Sequence, residues 1–296
     1  MKKLVFIIPI LAIIVAFNTS CKKNTTYKPK LIFKYKFDNT QVRLNNLGQA
    51  STIPSGHGAQ SPVFNLMSAH YIEISPKDSL LLGYGEVLYR ATETTAGGAN
   101  AIDFEKSIFA KDGDEFYSVE LSKVKAGTYK NLRVSLAYQN YNINYKYGTY
   151  SLTGTLASFV GFNTYIKSYK IKDQTKVVNA NKLQGYWGFE TSAFGVYNVS
   201  EGQAPVGATT VPNVLFGISD IPPGSCVVTG KFDQDLVITG NETKDIIVTV
   251  SLSTNNSFEW NDVDGDNIFE PITTTGAIKD VVVDMGLRGL IGKVTY

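Results

Sequence analysis

From Leu31 onward the chain is built of short runs in which apolar residues take every second position, separated by clusters of Gly, Asn, Pro and Asp. Ile32-Phe33-Lys34-Tyr35-Lys36-Phe37 alternates in this way, as do Tyr117 to Leu121 and Asn131 to Leu136. Period two marks a strand with one buried face, because successive side chains of an extended chain point to opposite sides. Further strands are predicted at Ala69 to Ile72, Ser151 to Val160, Val227 to Phe232, Leu236 to Thr239 and Ile246 to Leu252. Helical periodicity is scarce. Asp112-Gly113, Asp264-Gly265 and Pro222-Pro223-Gly224 supply the turns between runs. The pattern predicts an all-β fold: an immunoglobulin-like or jelly-roll-type β-sandwich, mostly antiparallel, with long loops.

The first residues follow a different pattern. Lys2 and Lys3 precede an unbroken apolar run from Leu4 to Phe17. That run is shorter than the roughly 18 to 20 residues needed to span a bilayer, so residues 1–20 are expected to be a signal peptide. Asn18-Thr19-Ser20-Cys21 resembles a bacterial lipoprotein processing site, with a small residue before the cysteine. Asn18 stands where an aliphatic residue is usual, a departure found in Bacteroidetes-type lipoproteins. The resemblance implies lipidation at Cys21 and a protein lipid-anchored to the outer membrane. Acidic residues do not follow Cys21, which favours the periplasmic face over the cell surface. Residues 21–30 then form a tether and 31–296 a β-sandwich domain, with a possible subdivision near 139–148, where Asn and Tyr crowd together.

Composition narrows the partners. With 43% hydrophobic residues among 296, the chain has enough apolar material for a large core. Removing Lys2 and Lys3 leaves 28 − 2 = 26 basic side chains against 26 acidic ones, so no nucleic-acid footprint is present. Cys226 is the one cysteine left beside Cys21, and Ser225-Cys226-Val227-Val228 makes it a small packing residue.

The sharpest chemical signal is Asp262-Val263-Asp264-Gly265-Asp266-Asn267-Ile268-Phe269-Glu270. Hard cations take six to eight oxygens at about 2.3 to 2.6 Å, and carboxylates crowded on one turn repel one another without a cation. Calcium held by Asp262, Asp264, Asp266 and Glu270 is the expectation, in a structural role. The loop is not an EF-hand: Asn267 occupies the place of its glycine and Thr273 that of its last glutamate. His57 and His70 are the only histidines, which leaves copper or another transition metal a narrow basis. Glu190 and Glu259, each beside aromatics, are the carboxylates a glycosidase would need; no nucleophile elbow, metalloprotease helix or phosphate loop occurs, so an enzyme is not expected. Tyr141 and Trp187 are the candidates for stacking on a glycan or another small ligand.

Several segments resemble the MbnP-like domain family of bacterial envelope proteins: Leu31 to Asn39, Gly48-Gln49, the Gly127-Thr128-Tyr129 turn leading into Leu132 to Leu136, the Trp187 segment and the Ile246 to Leu252 strand. The resemblance implies a β-sandwich that binds a metal or small partner without turnover. Copper-binding relatives use histidines and an oxidised tryptophan, and no histidine follows His70 here, so that ligand set is not carried over. The expected protein is a lipid-anchored envelope component that binds a small ligand, glycan or protein partner.

Overall fold

A computed structural model of the chain describes residues 27–193, 195–204 and 221–296. Residues 1–20, expected to be a signal peptide, and Cys21 lie outside the described residues. In chain order the strands are β1 (Lys30–Asp38), β2 (His57–Gln60), β3 (Val63–Ser75), β4 (Glu86–Arg90), β5 (Glu93–Thr94) and β6 (Ala101–Asp103). They continue with β7 (Glu115–Glu120), β8 (Gly127–Tyr147), β9 (Tyr150–Phe159), β10 (Asn163–Lys170), β11 (Thr175–Leu183) and β12 (Tyr186–Ala193). The last six are β13 (Val196–Gln203), β14 (Cys226–Ile238), β15 (Ile246–Ser253), β16 (Phe258–Asn261), β17 (Val281–Asp284) and β18 (Leu290–Thr295). No α-helix occurs among the described residues; single 3₁₀ turns lie at Phe104–Lys106 and Leu121–Lys123.

The fold is an all-β sandwich. One leaf runs β7-β1-β15-β18; the other is centred on β8, which pairs with β3 along one edge and with β14 and then β9 along the other. The alternation read in β1 is realised: Leu31, Phe33 and Tyr35 are fully buried. They pack with Val248 and Val250 of β15 against Met67, Ile72 and Ile74 of β3 and Leu132, Val134 and Leu136 of β8. Each such side chain contributes about 1.5 to 3 kcal/mol by leaving water. Tyr129 closes the predicted turn, its hydroxyl donating to the Lys125 carbonyl at 2.7 Å.

Two smaller sheets cover the far end of the second leaf. The sheet β11-β10-β6-β5 packs on one face through Phe104, Tyr138, Phe159, Ile166 and Tyr169. The sheet β17-β16-β2 packs through Tyr141, Ile143, Leu156, Phe258 and Trp260. Both faces of β8 are therefore buried. Its register against β3 shifts between Leu136 and Tyr138, and one extra residue reverses which face later side chains occupy. The Asn- and Tyr-rich stretch 139–147 continues β8, paired with β9 as far as Tyr147 opposite Tyr150.

The runs Val227 to Phe232 and Leu236 to Thr239, expected as separate strands, belong to the single strand β14, interrupted by a register shift between Lys231 and Leu236. Within this shift β14 meets β18, with Phe232 opposite Gly292, before its pairing with β8 resumes at Leu236, so one strand serves both leaves. A bulge is the usual means by which a strand turns such a corner. The crossing is tight: a Cβ on Gly230 would fall inside the Leu290 carbonyl, and one on Gly292 would lie 2.6 Å from the Phe232 ring.

A buried ion pair fixes the loop after β3. Arg133 and Glu73 lie opposite each other across β8 and β3, 3.2 Å apart and fully buried. Glu73 also accepts from the backbone of Gly83 (3.1 Å) and Gly85 (2.7 Å), while Arg133 donates to the Leu80 and Leu81 carbonyls.

Gly230→Ala is expected to lose about 3 kcal/mol of stability by overpacking at the β14–β18 crossing. Gly127→Ala, where a Cβ meets only ordinary contacts at 3.7 Å, is expected to stay within about 1 kcal/mol of wild type. Denaturant unfolding of both variants measures the difference.

Candidate functional site

The acidic loop between β16 and β17 brings Asp262, Asp264 and Asp266 together, with one carboxylate oxygen from each lying within 4.8 Å of the others. The chain itself supplies part of their compensation. Asp262 accepts from the backbone of Gly265 (3.1 Å) and Asn267 (2.8 Å), and Asp266 accepts from Ile268 (2.8 Å). Asp264 is paired with Lys279 at 2.6 Å, which holds its carboxyl below the usual range. Glu270, expected as the fourth ligand, does not join them. Its carboxylate is taken by Lys279 and by Lys146 at 3.4 Å, and its pKa is lowered chiefly by the Lys279 contact. The buried Asp280 closes the base of the loop by accepting from Val263 and Glu270 backbone amides.

Glu259 is the centre of a buried charge cluster. Strand β16 points it inward, where Arg43 (2.5 Å), Arg288 and His57 Nδ1 (3.3 Å) all reach its carboxylate. Burial alone would raise its pKa, but Arg43 and Arg288 outweigh burial and hold it below the ordinary glutamate value. Asp284, bonded to Arg288 at 2.9 Å, is shifted the other way, because burial dominates there. Glu190 is just as fully occupied: it is buried and accepts from the backbone amides of Lys172, Asp173 and Gln174, clamping the turn between β10 and β11. The two carboxylates singled out for acid–base chemistry thus lie in separate structural clusters.

The histidines also part company. His70 is buried and bonded to Glu93 at 2.9 Å, and burial holds its imidazole below the ordinary range against the opposing pull of Glu93. His57 belongs to Glu259. Neither histidine is part of a group of three metal-ligating side chains among the described residues. Cys226 is a free cysteine whose thiol burial, aided by the Asp284 charge, pushes up to about 12, far from a nucleophilic thiolate at neutral pH.

Tyr141 cannot stack on a ligand from solvent. It is fully buried on β8, its ring 4.8 Å from Phe64 and its hydroxyl donating to the Met285 carbonyl. Trp187, opposite Gly202 on the neighbouring β13, is partly buried, with its indole in the space a Cβ on Gly202 would need. Its lack of a side-chain neighbour there serves packing.

The open cleft of suitable size lies elsewhere, between β3 and β8 on one side and the turn after β10 on the other. It encloses about 490 Å³, inside the roughly 300 to 1,000 Å³ typical of small-molecule sites. Phe104, Phe109 and Tyr138 form its aromatic wall, with ring centroids 5.1 to 5.7 Å apart in edge-on pairs. Phe109 keeps 40% of its surface exposed. Asn65, Asn140 and Asn142 line the floor in a bonded cluster, and Lys170 and Lys172 stand at the rim. A second cleft of about 480 Å³ at Lys77, Lys130 and Lys231 is less open chemically, since Asp78 already holds Lys231 at 3.1 Å.

Of these cleft residues the sequence reading touches Tyr138, one of several tyrosines spaced to line a face, and the Asn- and Tyr-rich stretch that holds Asn140 and Asn142; a further signal is present. In 140–145 asparagine alternates with Tyr141, Ile143 and Tyr145, so the amides share one face of β8 and the apolar residues the other. Comparison with protein-family models, curated proteins and solved structures returns no match to this chain.

Because Glu259 is depressed in the folded protein, its stabilising effect is full above the ordinary glutamate pKa and is lost as pH falls through the lower folded value. Glu259→Gln is expected to destabilise by about 3 kcal/mol at pH 7. The gap from wild type should narrow below about pH 4, which unfolding curves at several pH values measure.

Proposed function

We propose that this is a lipid-anchored cell-envelope protein that recognises a small ligand in the cleft between the main sandwich and the sheet β11-β10-β6-β5. The observation that carries the reading is the contrast between the two kinds of site. Glu190 and Glu259 are buried and saturated with structural partners, whereas the cleft combines an accessible aromatic wall with amides that retain hydrogen-bonding capacity. That combination suits recognition: apolar contact supplies affinity and a few fixed polar groups set orientation. The anchor at Cys21 rests on the processing-site resemblance, and the MbnP-like resemblance is compatible with a non-catalytic binding role. Two of the segments behind that resemblance, Leu31 to Asn39 and Ile246 to Leu252, fall, but for Asn39, on β1 and β15, which lie side by side as parallel strands.

Calcium at Asp262, Asp264 and Asp266 belongs to the same proposal as a structural clamp on the β16–β17 loop. For the ion to take Asp264, Lys279 must give up its contact there.

Two measurements test the anchor and the clamp. Wild-type protein from the native host is expected in the membrane fraction labelled by palmitate, and Cys21→Ser unlabelled and released; equal release of both discards the anchor. Calcium at about 100 times its Kd is expected to add about 2.7 kcal/mol to stability, and Asp264→Asn to abolish the gain. A transition unmoved by calcium or chelator, with no heat in calorimetry, removes the clamp. For the cleft, Phe109→Trp sets a fluorophore at its mouth; soluble envelope glycan and peptide fractions are expected to shift its emission and shield it from quenching, and an unchanged spectrum in every fraction discards recognition there.

A further inference from the structure

The ligand class follows from the unused valences of the cleft. Asn65 spends both amide hydrogens on Asn140 Oδ1 (2.8 Å) and Asn142 Oδ1 (3.2 Å), and its own Oδ1 accepts from Asn142 (3.3 Å). Asn140 gives its hydrogens to the Ile171 carbonyl (2.8 Å) and the Tyr138 hydroxyl (3.3 Å). Asn142 Oδ1 takes a second bond from Thr155 (2.8 Å). An amide offers two donors and two acceptor lone pairs. By subtraction, one lone pair is free on Asn65, one on Asn140, and one hydrogen on Asn142. The network holds all three amides rigid while leaving both acceptors and a donor for a partner that is itself donor and acceptor. Hydroxyl groups are such partners.

The wall supplies the rest. Phe109 presents an exposed ring braced edge-on by Phe104 at 5.2 Å and Tyr138 at 5.7 Å. A flat, rigid aromatic surface beside fixed amides fits a ring that has an apolar C–H face and a hydroxylated edge, which is a pyranose. Charge adds the final selection. Lys170 and Lys172, both exposed, have no ion-pair partner among the described residues, although neighbouring acids are engaged: Glu105 by Lys167 (2.6 Å), Asp103 by Lys106 (3.1 Å) and Glu190 by backbone amides. Asp173 is the one nearby carboxylate with no such bond, and two ammonium groups outnumber it.

We propose, on the reading that this cleft is the recognition site, that it takes a sugar ring bearing an anionic substituent, a uronate carboxylate or a sulfate ester. The ring lies on Phe109, its hydroxyls meet Asn65, Asn140 and Asn142, and its anionic group sits between Lys170 and Lys172.

The test is calorimetric titration of the wild-type protein with trigalacturonate, a sulfated galactose trisaccharide and neutral galactotriose. Binding of at least one acidic trisaccharide is expected, at least tenfold tighter than galactotriose and weakened by raised salt; which acidic probe binds tells uronate from sulfate. Lys170→Gln with Lys172→Gln is expected to weaken it fivefold or more and to erase the preference over the neutral sugar. Phe109→Ala is expected to weaken all sugar binding tenfold or more; these side chains are exposed, and unchanged thermal unfolding confirms that each variant folds. Equal affinity for neutral and acidic probes, or acidic binding indifferent to all three substitutions, overturns the proposal. If no trisaccharide binds while envelope fractions still shift the Phe109→Trp emission, this proposal fails and recognition in the cleft stands; silence in both experiments removes the two together.

Discussion

Strand β8 is covered on both faces, and that single constraint organises the molecule. Its first half puts Leu132, Val134 and Leu136 into the sandwich core and Arg133 against the buried Glu73. Beyond the register shift, Tyr141 and Ile143 turn toward β16, while Tyr138 and Asn140 turn toward the sheet of β10. A strand with one wet face could end at the edge of a two-layer sandwich. Over its far half β8 buries Tyr141 and Ile143 on one face and Tyr138 and Asn140 on the other, so each face requires a further layer, and the two small sheets are those layers. The cleft is the gap left where one of them stops short of covering β8.

Polar groups enter the interior only in company. Glu73, Glu190 and Glu259 are all buried, yet each accepts bonds from several donors, for Glu190 three successive amides of one turn and for Glu73 and Glu259 groups from separate segments. Desolvating a carboxylate costs several kcal/mol unless its oxygens are satisfied. Such carboxylates therefore define geometry more than they add stability: Glu73 fixes the loop after β3, Glu190 fixes the β10–β11 turn, and Glu259 ties the segment of Arg43 to the chain near Arg288.

How much of this was legible depends on whether the cause is local. The alternation of Leu31, Phe33 and Tyr35 is a local property of an extended chain, and it located β1 and its buried face. The two-piece reading of β14 failed because the gap between Lys231 and Leu236 is a corner in one strand, set by β18 from across the sheet. Tyr141 and Trp187 were singled out for exposure that tertiary packing removes at Tyr141 and reduces at Trp187. Aromatic residues look alike in sequence whether a second layer covers them or not. The acidic loop was half legible: spacing along the turn gathered Asp262, Asp264 and Asp266, but Glu270 went to Lys146 and Lys279, which approach from other elements. Phe104, Phe109 and Lys170 escaped notice because the cleft exists only once β10 has folded over β8.

Strand β1 begins at Lys30 and is bonded along both edges, to β7 and to β15. A pull on the residues that precede it would enter the body through an interior strand, not a frayed border. Its hydrogen bonds lie across the direction of such a pull, so the two rows would resist sliding together instead of opening one after another. The entry point of the chain is thereby a mechanically firm attachment for whatever load the preceding segment transmits.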